Sequence, residues 1–168
     1  MPLDEPDYVE FTADDPAAVV AVMELMAAGH EGWINFEPAV LIDDVPPPRS
    51  GLGALLSGRG PDVPLATWAP GESRKGRSRR SGHPGHTEPP TVGVQHGSGP
   101  GARARLAEGG RAVPDGWVVL QDHSKKGLVV AVPPAAPHAD VVDWLLGASA
   151  LLSQVPLTGR WRAAVYST

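Results

Sequence analysis

Apolar and polar positions alternate with two different periods along this chain, and the two periods mark out its elements. Val19, Val20, Met23 and Met26, with Val22 beside them, recur at helical spacing after Asp14-Asp15-Pro16, an acidic cap region with a first-turn proline, and Gly29 ends the run. Residues 32–37, GWINFE, form a short aromatic segment expected to fold back over the end of that helix. Residues 39–45, AVLIDDV, read as a strand stopped by Pro46 to Pro48. Leu52, Leu55 and Leu56 suit one or two helical turns, and residues 63–68, VPLATW, suit an edge strand because Pro64 lacks a ladder donor.

The second half is patterned more strongly. Residues 91–96, TVGVQH, predict a strand, residues 97–101 a glycine-rich turn, and ARARLAEGG a short helix ending at Gly109-Gly110. Residues 117–121 and 128–132 predict a hairpin whose Gly127 takes a positive φ, and their near-continuous apolar character predicts burial on both faces. After Pro137, the stripe Val141, Leu145, Ala148, Leu152 and Val155, widened by Trp144 and Leu151, predicts a helix over 138–154, with Asp140 and Asp143 near its positive end. Residues 160–166 read as a closing strand, reached by a right-handed crossover if it runs parallel to the strand before that helix. The expected fold is α+β: one domain over 1–168, with a mixed sheet of about five or six strands and two main helices packed on it.

Composition changes this picture in one place. Of the 39 glycines and prolines, 22 fall within residues 46–101. Inside that stretch, residues 70–90 (APGESRKGRSRRSGHPGHTEPP, with its flanks) contain no Val, Ile, Leu, Met or aromatic residue. Nothing there offsets a backbone ordering cost of roughly 1–2 kcal/mol per residue, so 70–90 is expected to be a disordered basic insert within the domain.

Charge divides at the same point. Residues 1–69 hold twelve acids against two bases, whereas 70–90 hold five bases (Arg74, Lys75, Arg77, Arg79, Arg80) against two acids. A basic tether would suit phosphate-rich partners through counterion release. The insert lacks interleaved aromatics for base stacking and the surrounding chain is acidic, so nucleic acid is not the expected partner.

The absence of cysteine removes disulfide scaffolds, thiolate zinc sites and cysteine nucleophiles. No apolar run approaches the roughly 18 residues of a membrane span, and MPLDEPDYVE is acidic where a signal peptide is basic, so a cytoplasmic protein without membrane association is expected.

Candidate chemistry is sparse. The turn Gly97-Ser98-Gly99-Pro100-Gly101, following His96 and opening a helix that carries Arg103 and Arg105, offers backbone amides and a positive dipole end to an anion. Its G-x-G-x-G spacing lacks the G-x-G-x-x-G of dinucleotide sites and the Lys-Ser/Thr of a phosphate loop. His96, Gly97, Ser98, Gly99, Gly101 and Arg103 are therefore the candidate ligand-binding residues, beside the plainer alternative of a strand-to-helix connection. Asp122, His123 and Ser124 have hydrolase residue types, but adjacent strand residues face opposite ways, so they do not form a triad. His83 and His86 lack further ligands, and no metal site or cofactor is expected. Of the five tryptophans, Trp117, Trp144 and Trp161 are expected to meet under the last helix. An exposed Trp68 beside the insert would mark a partner surface, shared with Arg77, Arg79 and Arg80.

Five stretches, GWINFEP, PPPRSGLGALLSGRGPDVPLATW, VGVQHGSGPGARARLAEGG, GWVVLQDHSKKGLVV and PLTGRWRAAVY, together resemble a family of uncharacterised hypothetical proteins from high-GC Gram-positive (actinobacterial) bacteria. The resemblance covers most of the chain outside the insert and implies a bacterial cytoplasmic setting, with no activity to carry over. The function expected from the sequence is a non-catalytic binding domain whose partner is another protein or a second copy of itself. The alternative is a binder or enzyme for a small or phosphorylated ligand at 96–101, and a third reading is weak nucleic-acid association through the insert.

Overall fold

The computed structural model describes residues 5–48, 58–71 and 88–167. Its elements run β1 (Asp7–Thr12), α1 (Ala17–Gly29), β2 (Trp33–Pro38), a 3-10 turn (Ile42–Asp44), β3 (Leu65–Ala69), β4 (Thr91–Gln95), α2 (Ala102–Glu108), β5 (Val118–His123), β6 (Gly127–Ala131), α3 (His138–Leu152) and β7 (Arg160–Tyr166). The Leu52–Leu56 segment, Arg77, Arg79, Arg80, His83, His86 and most of the basic insert lie outside the described residues.

The fold is α+β, with more strands than the sequence predicted. A seven-stranded sheet has the order β1-β7-β2-β3-β4-β6-β5, and every neighbouring pair is antiparallel rather than mixed. The strands that the sequence did not predict, β1 and β2, both lie at the amino-terminal end of the chain. Residues 7–12 pair along their whole length with β7, although only Tyr8, Val9 and Phe11 are apolar. The aromatic segment does not fold back but forms β2, seated between β7 and β3. Residues 39–45, despite their composition, are not a strand: Leu41 and Ile42 are 62% and 87% exposed, because no sheet neighbour is available to them. β3 is the middle strand rather than an edge, since Pro64 lies just before the ladder begins.

Antiparallel pairing fixes the direction of every strand, and the helices follow from it. β1 and β2 point the same way with β7 between them, and α1 joins them. β4 and β5 are likewise co-directional around β6, and α2 joins them. β6 and β7 also run the same way, but as strands that do not pair, and α3 crosses the sheet to connect them. Hairpin-type links join the rest. Each helix is thus a crossover over non-adjacent strands, and all three contribute to a single core on one side of the sheet.

That core follows strand parity. Ile34 and Phe36 of β2, Ala66 and Trp68 of β3, Val92 and Val94 of β4, and Leu128 and Val130 of β6 all point to the helices and are at most 2% exposed. Val19 and Met23 of α1, Leu106 of α2, and Val141, Leu145 and Leu152 of α3 meet them. α1 ends as its sequence predicts, with His30 in the left-handed region (φ 54°) and its N–H bonded to Met26 O. No acidic side chain caps its start, where Pro16 is the capping residue.

Trp117 and Trp144 meet edge to face at 5.3 Å between ring centroids, and Trp144 Nε1 donates to Ala112 O at 3.1 Å. Trp161 is buried in β7, in the other half of the sheet. Trp68 is 1% exposed, with its ring 5.7 Å from that of His138, so it is a core residue and not the partner surface expected of it. β5 is an edge strand with Val118 and Leu120 exposed, in contrast to the two-sided burial its apolar run suggested. No helix among the described residues is long and apolar enough to cross a membrane.

Candidate functional site

The glycine-rich turn comes together closely, but it turns inward. Alternation along β4 places Val92, Val94 and then His96 on the helix side of the sheet, and the imidazole is fully buried. Its Nδ1 lies 2.9 Å from Ser98 Oγ and accepts a longer bond, 3.3 Å, from the Ser98 backbone N–H. Arg105 Nη1 donates to that same Ser98 Oγ at 3.3 Å and to Gly99 O at 3.4 Å. The hydroxyl therefore accepts from Arg105 and donates to His96, which leaves the imidazole proton on Nε2. Nε2 is buried with no hydrogen-bond partner.

Burial pushes the His96 pKa below its ordinary 6.5; Asp122 opposes this shift and the Arg105 guanidinium adds to it. A neutral, sealed imidazole is poorly placed to exchange protons with a substrate. The seal comes from the segment leading into β3. A Cβ on Gly60 would stand 2.2 Å from His96 O, and one on Gly97 would stand 2.9 Å from Pro61 O, so the two backbones touch at positions where only glycine fits.

The amino end of α2, offered by the sequence to an anion, holds a carboxylate from the protein itself. Asp122 on β5 accepts from Ala102 N at 3.3 Å and from Arg103 N at 3.1 Å, one oxygen to each amide. That is side-chain capping with a favourable charge at the helix dipole. Gly97 and Gly99 are buried, while Gly101 and the Arg103 side chain are exposed. Asp122, His123 and Ser124 do not share a site: His123 Nδ1 accepts from Lys125 N at 3.0 Å and Lys126 N at 3.2 Å, closing the β5–β6 turn. Among the described residues no group of three or more His, Asp or Glu side chains is placed to hold a metal ion.

The other face of the sheet is the more distinctive surface. None of the three helices among the described residues packs there, and its side chains fall into rows set by the strand register. One row runs Tyr166, Trp33, Ala69, Thr91, Ala131, Val118 across β7, β2, β3, β4, β6 and β5. The next runs Ala164, Asn35, Thr67, Gly93, Val129, Gln121 across the same strands, with Tyr8 of β1 beyond Ala164. Neither row contains a charge. Trp33 and Tyr166 stack at 4.7 Å and 10°, and Thr67 Oγ1 donates to Asn35 Oδ1 at 3.1 Å.

A third row carries the charges at one margin. Arg162 Nε donates to Glu37 Oε2 at 3.0 Å while its guanidinium lies 4.6 Å from the centre of the Tyr8 ring, and pairing with Glu37 raises the Arg162 pKa further. Toward β4 and β6 the face sinks into a shallow depression of about 250 Å3 lined by Leu65, Thr67, Thr91, Gly93, Gln95 and Lys126. The sequence reading missed this surface because its residues are Thr, Asn, Gly and Ala. The available signal is strand parity: in WINFEP, LATWA and TVGVQ the positions between the core residues carry almost no charge.

Comparison of the chain with protein-family models, with curated proteins and with solved structures finds no match.

Proposed function

We propose that this chain is a non-catalytic interaction domain whose docking surface is the face of its sheet on which no helix packs among the described residues. One observation carries the reading: two adjacent rows of side chains span six strands without a charged residue, while the opposite face is sealed by three helices. A soluble sheet facing water on one side normally alternates apolar-in with polar-out, and an uncharged patch rimmed by charge marks a contact surface. The inward turn at 96–101 supports the same reading, since the buried His96 and the Asp122-capped helix start leave little there for a ligand to engage.

Site-specific photo-crosslinking in the cells that make the protein tests this. A crosslinker at Thr67, in the centre of the face, is expected to yield a discrete adduct that disappears when Gly93→Arg is added. The same crosslinker at Asp140, exposed on α3, is expected to yield none. Adducts from position 140 with nothing from position 67 would overturn the assignment.

A further inference from the structure

We propose a second binding site, on the helix side of the sheet and separate from the docking face: the cavity beside α3 and the start of β7 takes a small aliphatic α-amino acid. It measures about 280 Å3 and is assembled from segments far apart in the chain. One face of α3 lines it together with the turn after β1 and the approach to β7, which are tied to each other by Ala13 N donating to Gly159 O at 2.9 Å. Arg111 enters it from beyond the end of α2.

Arg111 is held in place. Its N–H donates to Leu106 O at 2.7 Å, and its carbonyl accepts from Trp144 Nε1 at 3.3 Å. The guanidinium lies across Gly147 of α3, where a Cβ would stand 2.5 Å from Cζ and 2.6 Å from Nε. Any other residue there would displace it, yet a glycine inside a helix lowers the helix's stability. The exposed ion pair of Arg111 with Asp143 does not offset that, because such pairs contribute little. What Gly147 secures is the position of the arginine. Nη1 is committed to Asp143, 2.7 Å from Oδ2, whereas Nε and Nη2 have no hydrogen-bond partner among the described residues. Those two nitrogens form the fork that takes a carboxylate by parallel bonds.

The neighbouring charges decide the rest of the ligand. Asp143 balances Arg111, and Asp14, which also lines the cavity, has no hydrogen-bond or ion-pair partner among the described residues for its carboxylate. A simple carboxylic acid would be repelled by Asp14, and a simple amine by Arg111. A zwitterion offers its carboxylate to Nε and Nη2 and its ammonium to the two aspartates, and brings no net charge. Leu146, Leu157 and Trp161 supply apolar lining, with Leu146 and Trp161 only 4% and 2% exposed, which suits a short aliphatic side chain. The volume lies at the lower end for ligand pockets, nearer one amino acid than a nucleotide.

Titration of the full chain with leucine, isocaproate and isoamylamine, read by amide NMR and calorimetry, tests this. Leucine should shift the amides of residues 13–14, 143–150 and 157–161, with a Kd of about 0.1–1 mM for so small a ligand. Isocaproate, which lacks the ammonium, and isoamylamine, which lacks the carboxylate, should each bind roughly tenfold more weakly. Arg111→Met should weaken leucine by a similar factor. Gly147→Ala is the sharper variant: it should also weaken leucine by unseating the guanidinium, while the unfolding temperature stays level or rises because alanine is the better helix former. Asp14→Asn should narrow the gap between leucine and isocaproate. The proposal is overturned by unshifted amides at about 10 mM leucine, ten times the weakest expected Kd. Isocaproate binding as tightly as leucine overturns it too, as does leucine binding untouched by both Arg111→Met and Gly147→Ala.

Discussion

Ser98 Oγ lies 2.9 Å from His96 Nδ1 and takes a hydrogen bond from Arg105 on its other side, so one hydroxyl links a buried imidazole to a guanidinium. The link also sets the protonation state. Nδ1 is already an acceptor for the Ser98 N–H, and a second proton on the ring would confront that donor in a site without water access.

The first prediction concerns pH. Burial lowers the folded-state pKa of His96 below 6.5, so on acidification the unfolded chain binds its proton first. The neutral ring's contribution to stability is complete above pH 6.5 and is lost as the pH falls from there to the folded-state value, at no more than about 1.4 kcal/mol per pH unit for one group. Denaturant unfolding of wild type and His96→Gln between pH 8 and pH 5 reads this directly: the wild type should lose more stability across that range. Parallel profiles would refute it.

A second prediction follows from the Asp122 carboxylate, which holds the first two amides of α2. Asp122→Ala should cost about 0.5–2 kcal/mol, with Asp122→Asn recovering part of it because an amide oxygen still accepts. Hydrogen exchange should show faster exchange localised to residues 102–106. Unchanged exchange there would mean that the cap is dispensable.

Gly60 gives a third. Any side chain at this position would collide with His96 O, and the collision is with backbone, which cannot swing aside. Gly60→Ala should therefore destabilise by roughly 1–3 kcal/mol, as overpacking does elsewhere. Gly101→Ala tests a different effect: the added Cβ has open space but φ is +78°, so its cost is backbone strain of about 1 kcal/mol. Comparing the two by thermal unfolding separates contact from conformation.

The fourth concerns Trp68. With 1% exposure and a ring edge-on to His138, Trp68→Ala should cost about 3–5 kcal/mol, and Trp68→Phe distinctly less. A near-neutral Trp68→Ala would put the indole back on the surface.

Helical and hairpin signals were the legible part of the sequence. The stripe Val141, Leu145, Ala148, Leu152 faces the core, and Gly127, at φ +87°, closes the β5–β6 hairpin where a Cβ would strike Val94 O. Those signals are local: a helix carries its own periodicity and a tight turn its own backbone requirement. β1 and β2 were not legible in the same way, because a strand beside β7 is stabilised by residues more than a hundred positions away, as in Asn35 against Ala164. Ile42 illustrates the converse, since apolar composition without a sheet neighbour leaves it in water. The glycine-rich turn is visible in the sequence, but its direction depends on the parity of β4, which carries His96 inward with Val92 and Val94. Trp68 failed for the same reason, being on the inward set of β3.

The hairpin link between β3 and β4 has a consequence for how this chain tolerates change. A Cβ on Gly71 would lie 2.3 Å from Glu88 O, so the two ends of the basic insert are already in contact where it leaves and rejoins the sheet. The pairing of Ala69 with Thr91 holds them there. Replacing residues 72–87 by a few glycines should raise stability by roughly 1 kcal/mol through the shorter closure, and leave the register of β3 and β4 intact. Length at this point is therefore almost free of selection by the fold. The middle strand of the sheet doubles as a port through which new sequence, a tag or a whole inserted module, can enter without the core having to be rebuilt around it.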